Sequence, residues 1–310
     1  MLNTTENFFF VLNGLNDTAT NKQLYFSFSL MLYVFTVFVN LGLTAVILLD
    51  KVLHEPMYIF VCSLFINGIY GATSFYPKLL ADLLSDVHVI SHVGCFLQIL
   101  TNYSYAFCEF TTLAMMAYDR YVAICKPLQY HSIMTLKKVK RLILFSWIFS
   151  HIETTIGVVL TARLPLCGRD IDKIYCANWA VVKLSCVDTT INNLYGYVLI
   201  VYHVSQSIMV IISYVHIIKA CMRSQTERRK FIQTCLPHLV TLINFTISLV
   251  FDVLYARYGS KQIPQAFRNI LAVEFLVVPP LLNPIIYGIN LGPIRNRILR
   301  MFRFKTNALK

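Results

Sequence analysis

Met116-Ala117-Tyr118-Asp119-Arg120-Tyr121-Val122-Ala123-Ile124-Cys125-Lys126-Pro127-Leu128-Gln129-Tyr130 decides how the rest of the chain is read. The string closes an apolar run over residues 93–124, sets an acid beside an arginine where the run ends, and stops it with a lysine and a proline. A hydrocarbon core about 30 Å thick needs roughly 20 apolar residues per helix, and this run is long enough. Working outward, six further runs cover residues 25–49, 57–80, 139–162, 194–220, 231–256 and 265–289. They are continuous, without the alternation of membrane strands, which predicts helices instead of a barrel. The expected fold class is all-α: a seven-transmembrane helix bundle over residues 25–290, an N-terminal segment at 1–24, and a short amphipathic helix and tail at 291–310.

Composition agrees. Of 310 residues, 57% are hydrophobic and 14% charged, and the mean hydropathy is +0.61; a soluble surface carries more charge. The net charge of +12 comes from short clusters of Lys and Arg between apolar runs, with no basic face interleaved with exposed aromatics, so no nucleic-acid partner is expected. The nine cysteines show no paired metal-ligand spacing. An enzyme is not expected either: the acids are isolated, and no Ser-His-Asp set, metal-binding helix or phosphate-cradling glycine loop is present.

Basic residues choose the orientation. Lys51 lies in the first connection, Lys126, Lys137, Lys138, Lys140 and Arg141 in the third, and Arg223, Arg228, Arg229 and Lys230 in the fifth; Arg295, Arg297, Arg300, Arg303 and Lys305 follow the last run. These segments are expected in the cytoplasm, which puts the N-terminus outside. There Asn3-Thr4-Thr5 and Asn16-Asp17-Thr18 are glycosylation acceptors. No removable signal peptide is expected, so the first span would act as its own insertion signal. Ile294, Ile298, Leu299, Met301 and Phe302 recur among the arginines at near-helical spacing, either as an amphipathic helix against membrane lipid or as a disordered basic tail.

At this point the chain resembles a known family. The string 116–125 is similar nearly letter for letter to the MAYDRYVAIC signature of odorant receptors, members of the rhodopsin-like G-protein-coupled class. Leu53-His54-Glu55-Pro56-Met57-Tyr58 looks like that family's LHxPMY, and Ser213-Tyr214 ends the fifth run as in family members. Residues 230–239 resemble KAxxTCxSHL, and Pro280-Leu281-Leu282-Asn283-Pro284-Ile285-Ile286-Tyr287 resembles PxLNPxIY. The resemblance implies a receptor in the plasma membrane of sensory cilia that binds a small odorant and raises cyclic AMP through a stimulatory heterotrimeric G protein. It implies that Asp119, Arg120, Tyr121, Tyr214, Asn283, Pro284 and Tyr287 form the switch that opens to the G protein. Independently of any family, an arginine at a membrane boundary needs a partner, which Asp119 supplies, and Pro284 should kink its helix.

Cys95, Cys167, Cys176 and Cys186 fall on the outer side, where oxidation is permitted; sequence alone leaves their pairing open. The resemblance implies Cys95 with Cys176 and Cys167 with Cys186. Glu109, an acid in mid-span, is a functional candidate by default, and the resemblance makes it a sodium-binding or proton-linked site near Asn283. No other cofactor is expected. The acid found in the family's second span is replaced here by Gly68, preceded by Asn67, so a sodium site would rest on Glu109 with neutral oxygens. Thr246 likewise stands where the family has a tyrosine, leaving Phe245 or Tyr202 to couple ligand to helix movement.

The ligand is expected between the outer halves of spans three, five, six and seven. The facing candidates are Asn102, Tyr103, Ala106 and Phe107; Tyr195, Leu199, Tyr202 and His203; and Leu249, Val250 and Val253. Asn102-Tyr103, where amine receptors place an acid, is neutral and disfavours an amine. Two readings of Arg257 stand. Its guanidinium binds a carboxylate, sulfate or phosphate of an anionic or zwitterionic odorant, as in the class I, fish-like branch that the Ala256-Arg257-Tyr258-Gly259 string resembles, or it snorkels outward or pairs with Asp252 or Asp188. His151, His203 and His238 are read as satisfying local hydrogen bonds. The alternatives in function are a non-olfactory rhodopsin-like receptor for a small ligand and a channel or transporter using Glu109, Glu153, Asp252 and Glu274, the latter opposed by the lack of an internal repeat.

Overall fold

The computed structural model describes residues 9–15, 19–221, 235–259 and 264–308. Asn3, Asn16, Arg223, Arg228, Arg229, Lys230 and the start of the sixth run at 231–234 lie outside the described residues. Seven long helices form a bundle: α1 (Ala19–Leu49), α2 (Pro56–Leu83), α3 (His92–Cys125), α5 (Leu136–Ala162), α7 (Thr190–Cys221), α8 (Leu236–Tyr258) and α9 (Gln265–Asn290). Short helices α4 (Tyr130–Ile133) and α6 (Asn178–Val182) lie in connections, and α10 (Gly292–Ala308) follows the bundle. The spans begin or end a few residues outside the apolar runs, because capping residues and polar first turns continue the backbone hydrogen bonding past the hydrophobic stretch. Ser91 Oγ accepts from Gly94 N at 3.1 Å to start α3, and Thr135 Oγ1 accepts from Lys138 N at 3.3 Å to start α5.

Six of these helices are long and apolar enough to cross a membrane. The seventh, α3, carries Gln98, Asn102, Glu109 and Asp119, all buried, and packs against α2, α5, α7, α8 and α9. As the central pole it faces protein on most sides, so its polar groups find partners there and not in lipid. The outer helices turn apolar side chains outward, with Phe38, Val201 and Met209 more than two-thirds exposed, as a lipid-facing surface requires.

The last span contains Pro279, Pro280 and Pro284. A proline at 284 has no N–H for the carbonyl four residues back. Asn40 Nδ2 on α1 donates to that oxygen, Pro280 O, at 2.8 Å, so a side chain from another helix satisfies the freed backbone group. Gly68 permits this crossing: a Cβ there would lie 3.2 Å from Asn40 Oδ1 and 3.4 Å from Pro280 Cα. The missing acid at Gly68 is thus replaced by close packing of α1, α2 and α9.

One end of the bundle carries a small sheet in the order β2-β1-β3. Its middle strand is β1 (Phe9–Leu12), antiparallel to β2 (Val89–Ser91) and parallel to β3 (Asp170–Ile171). Phe10 and Leu12 are buried there with Ile90, Phe96, Ile99, Cys176 and Val181 in a second apolar cluster. A strand of four residues is too short to show a period, which is why the N-terminal segment reads only as polar chain. At the opposite end α10 packs against α9 and α1: Ile294 is buried, and Arg297 Nε lies 3.1 Å from Asp50 Oδ2. The side chains of Met301, Phe302, Arg303 and Lys305 lie outside the described residues.

Candidate functional site

At the sheet end the bundle holds a cleft lined from α3 by Ile99, Tyr103, Phe107 and Phe110, from α5 by Glu153 and Gly157, from α6 by Trp179, and from α7 and α8 by Leu199, His203, Leu249, Val250, Val253 and Arg257. Tyr195 lines it as well. The cleft therefore lies among spans three, four, five and six under the α6 loop. The expectation of a seventh-span wall is corrected, since no α9 residue lines it among the described residues.

Three expected lining residues point elsewhere. Ser74 Oγ donates to Asn102 Oδ1 at 2.5 Å, turning Asn102 toward α2. Ala106 is fully buried in the main core. Residues 103 and 107 share one helical face, and 102 and 106 lie about 100° round from it. Tyr202 packs against Phe149 of α5 with ring centroids 5.7 Å apart and does not line the cleft.

Arg257 is held at the cleft's sheet end. Its guanidinium lies 4.0 Å over the Trp179 ring and 5.1 Å from that of Tyr197, and Nη1 donates to Asn193 Oδ1 at 2.6 Å. Gly196 makes room, since a Cβ there would stand 1.9 Å from Nη2. Neither carboxylate suggested by the sequence pairs with it. Asp252 takes Lys173 Nζ at 2.5 Å and the Tyr175 hydroxyl at 3.0 Å; Asp188 accepts from Thr190 N at 3.1 Å. The Arg257 Nε is buried with no hydrogen-bond partner.

Two of the three histidines make the expected local contacts, His151 Nδ1 with Trp147 O at 2.8 Å and His203 Nδ1 with Gln206 Oε1 at 3.1 Å, and all three also reach across to other helices. His151 Nε2 meets the Tyr70 hydroxyl across to α2 at 3.2 Å, His238 meets the Tyr214 hydroxyl across to α7, and His203 faces Glu153 at 3.3 Å inside the cleft. Glu153 is one of the lining residues, with Ile99, Phe110 and Gly157, that sequence reasoning left outside the pocket, although its cost as an intramembrane acid was an available signal. Trp179 and Asn193 gave none. The four intramembrane acids keep separate partners: Asn244 Nδ2 donates to Glu274 Oε1 at 2.8 Å, whereas Glu109 takes Asn67 and Asn283, Glu153 faces His203 and Asp252 takes Lys173.

Below the cleft, Glu109 ties three spans together, accepting from Asn67 Nδ2 at 2.8 Å and from Asn283 Nδ2 at 2.6 Å. Phe245 packs edge-on to Phe110 at 5.1 Å and to Tyr105 at 6.3 Å, so one aromatic contact runs from the cleft floor to α8. Thr246 bonds its own helix through Leu242 O at 2.7 Å.

At the opposite end Arg120 Nε donates to Asp119 Oδ2 at 3.0 Å, and the Tyr130 hydroxyl donates to Asp119 Oδ1 at 2.9 Å. Burial, and then the Asp119 charge, hold the Tyr130 phenol above its ordinary range, so it stays a donor. Tyr214 and Tyr287 are buried, and Tyr121 sets its ring 6.4 Å from that of His216. The structure joins Cys95 to Cys176, with Cα atoms 5.4 Å apart, and Cys167 to Cys186, with Cα atoms 5.3 Å apart.

With this geometry in place, comparison with known proteins adds the lineage. The family model described as olfactory receptor matches residues 28–305. The chain is 33% identical over 306 residues to Olfactory receptor 8I2 of Homo sapiens, covering 98% of each chain. It is 35% identical to Olfactory receptor 5M5 of Mus musculus, over 95% of this chain and 93% of that one. It is 34% identical to Olfactory receptor 51E1 of Homo sapiens, over 97% and 95% respectively.

Proposed function

The chain belongs to the olfactory receptor family, and from that premise we propose that it is an odorant receptor whose cleft takes a small anionic or zwitterionic ligand anchored by Arg257. It is a multi-pass membrane receptor of the G-protein-coupled kind and not an enzyme. The observation that carries the ligand class is a guanidinium stacked into the cleft wall with no carboxylate within ion-pair reach among the described residues. Such a fork accepts a carboxylate, sulfate or phosphate in two parallel hydrogen bonds.

In this reading the sheet end faces outside and the Arg120 end faces the cytoplasm, as the lysine and arginine clusters favour. Ligand in the cleft presses on Phe110 and, through it, on Phe245 of α8. Movement of α8 then disturbs the Tyr214–His238 contact and frees Arg120 from Asp119 for a stimulatory G protein, raising cyclic AMP in sensory cilia. A sodium ion at Glu109 belongs to the same proposal. The carboxylate is flanked by buried Asn67 Oδ1 and Asn283 Oδ1 atoms without hydrogen-bond partners, and carboxylate and amide carbonyl oxygens suit hard cations.

Cyclic AMP in cells expressing the full chain with an olfactory G protein tests this, using pooled acidic, zwitterionic, amine and neutral odorants. Arg120→Ala at normal surface level is expected to abolish the response to every pool. Arg257→Ala is expected to weaken the acidic and zwitterionic responses by at least about tenfold, the worth of a charge-assisted hydrogen bond, and to spare neutral odorants. An unaltered acidic dose response in Arg257→Ala sinks the ligand class; a full response in Arg120→Ala sinks the signalling route.

A further inference from the structure

We propose that the cleft selects a zwitterion whose ammonium and acid stand far apart, such as an ω-amino acid or short peptide, with Glu153 and His203 receiving the ammonium while Arg257 holds the acid. The inference rests on the reading of Arg257 as an anion anchor and adds a second recognition point at the cleft's other end.

Glu153 and His203 are 4% and 5% exposed, and both line the cleft. Glu153 Oε1 and His203 Nε2 stand 3.3 Å apart, yet out of hydrogen-bond alignment, and both atoms are left without a hydrogen-bond partner. The imidazole is fixed from two sides. It stacks on Phe107 with centroids 4.4 Å apart and planes 17° from parallel, and its Nδ1 lies 3.1 Å from Gln206 Oε1. In the tautomer that donates from Nδ1 to Gln206, Nε2 presents a lone pair. Two acceptors, one of them a carboxylate, then face each other across a gap that nothing donates into. A primary ammonium carries three donors and the compensating charge, so a single ligand group satisfies both atoms. An acid in a membrane interior is costly without such a partner, and among the described residues no lysine or arginine pairs with Glu153.

The two recognition points sit at different levels. Gly196 abuts the Arg257 guanidinium, and His203 follows seven residues later on the same helix. At about 1.5 Å per residue the levels differ by about 10 Å. The wall between them is apolar, formed by Phe107, Leu199, Leu249, Val250 and Val253. An α-amino acid carries its charges on neighbouring atoms and cannot reach both levels. An apolar chain with a charge at each end spans them.

The test uses three length-matched probes, octanoate, octylamine and ω-aminooctanoate, on the purified full-length receptor in nanodiscs, with ligand-dependent thermal shift reporting affinity apart from signalling. ω-Aminooctanoate is expected to bind at least about tenfold more tightly than either singly charged probe. Glu153→Gln, nearly the same size, is expected to reduce it to the level of octanoate while changing octanoate affinity by less than about threefold; Glu153→Asp, which keeps the charge, is expected to recover part of the loss. Arg257→Ala is expected to reduce it to the level of octylamine. Equal affinities for all three probes overturn the proposal. So does a Glu153→Gln variant that weakens octanoate as much as ω-aminooctanoate, which marks Glu153 as a packing residue, or one that changes neither, which marks an internal Glu153–His203 pair. Octanoate binding that ignores Arg257 while octylamine binding needs Glu153 overturns the anchor reading, and the zwitterion with it, leaving an amine site. Glu153-dependent binding without any cyclic AMP response confirms the ligand class and fails only the signalling reading.

Discussion

Cys176→Ser is expected to leave almost no receptor at the cell surface. The Cys95–Cys176 bond closes a loop of 81 residues, and constraint of the unfolded chain by a loop of that order is worth about 4 to 5 kcal/mol. Total stability of a domain is only about 5 to 15 kcal/mol, so one bond is a large share. Its surroundings add to the loss. Cys176 is fully buried beside Phe10, Ile99 and Val181, and its backbone N–H donates to Gln98 Oε1 at 2.9 Å, so freeing the loop also unseats β1 and the roof of the cleft. Cys167–Cys186 spans only 19 residues, for which the same reasoning gives about 3 kcal/mol. Cys167→Ser is therefore expected to fall less far. Flow cytometry of an N-terminal tag, with the thermal midpoint of the solubilised receptor, measures both. Normal surface labelling of Cys176→Ser, or a larger loss in Cys167→Ser, would refute this ranking.

Asp252→Ala is the other large effect. Asp252 on α8 joins Lys173 at 2.5 Å, with the two side chains 2% and 12% exposed, and receives the Tyr175 hydroxyl, which also lies 3.2 Å from Ala272 O on α9. One carboxylate thus pins the loop between α5 and α7 to two spans. Burial, and then the Asp252 charge, hold the Tyr175 phenol far above its ordinary range, so it remains a protonated donor at any physiological pH. Removing Asp252 leaves a buried ammonium with no counter-charge, at a cost of about 3 to 5 kcal/mol. Removing both charges is far milder, so adding Lys173→Met to Asp252→Ala is expected to restore part of the thermal midpoint. A double variant that falls by the full sum of the two single losses would show that the pair is not coupled.

Both effects concern the roof over the cleft, and the roof is the part least visible in the chain's letters. β1 is four residues long and α6 is five, too short for periodicity to register. Trp179, which stacks on Arg257, and Lys173, which holds Asp252, come from that loop. Each reads in isolation as an ordinary loop residue, because its significance is a partner far along the chain.

The sequence by itself determined the seven spans, their all-α character and the family, because a bilayer demands long apolar helices and the motifs around Arg120, Pro237 and Pro284 are contiguous strings. It also determined that Asp119 and Arg120 stand side by side, and that Glu109 and Glu153 are costly enough to need a reason. Only the tertiary structure decided what those residues meet. It turned Asn102 and Ala106 toward the core and Phe107 toward the cleft, a difference of about 100° per residue on a helix whose faces are all apolar enough to pass as lining. It brought Asn40 to the carbonyl freed by Pro284, Asn67 and Asn283 to Glu109, and His203 to Glu153. Such meetings depend on how helices rotate and cross, and packing of the whole bundle fixes that, not any local run of residues.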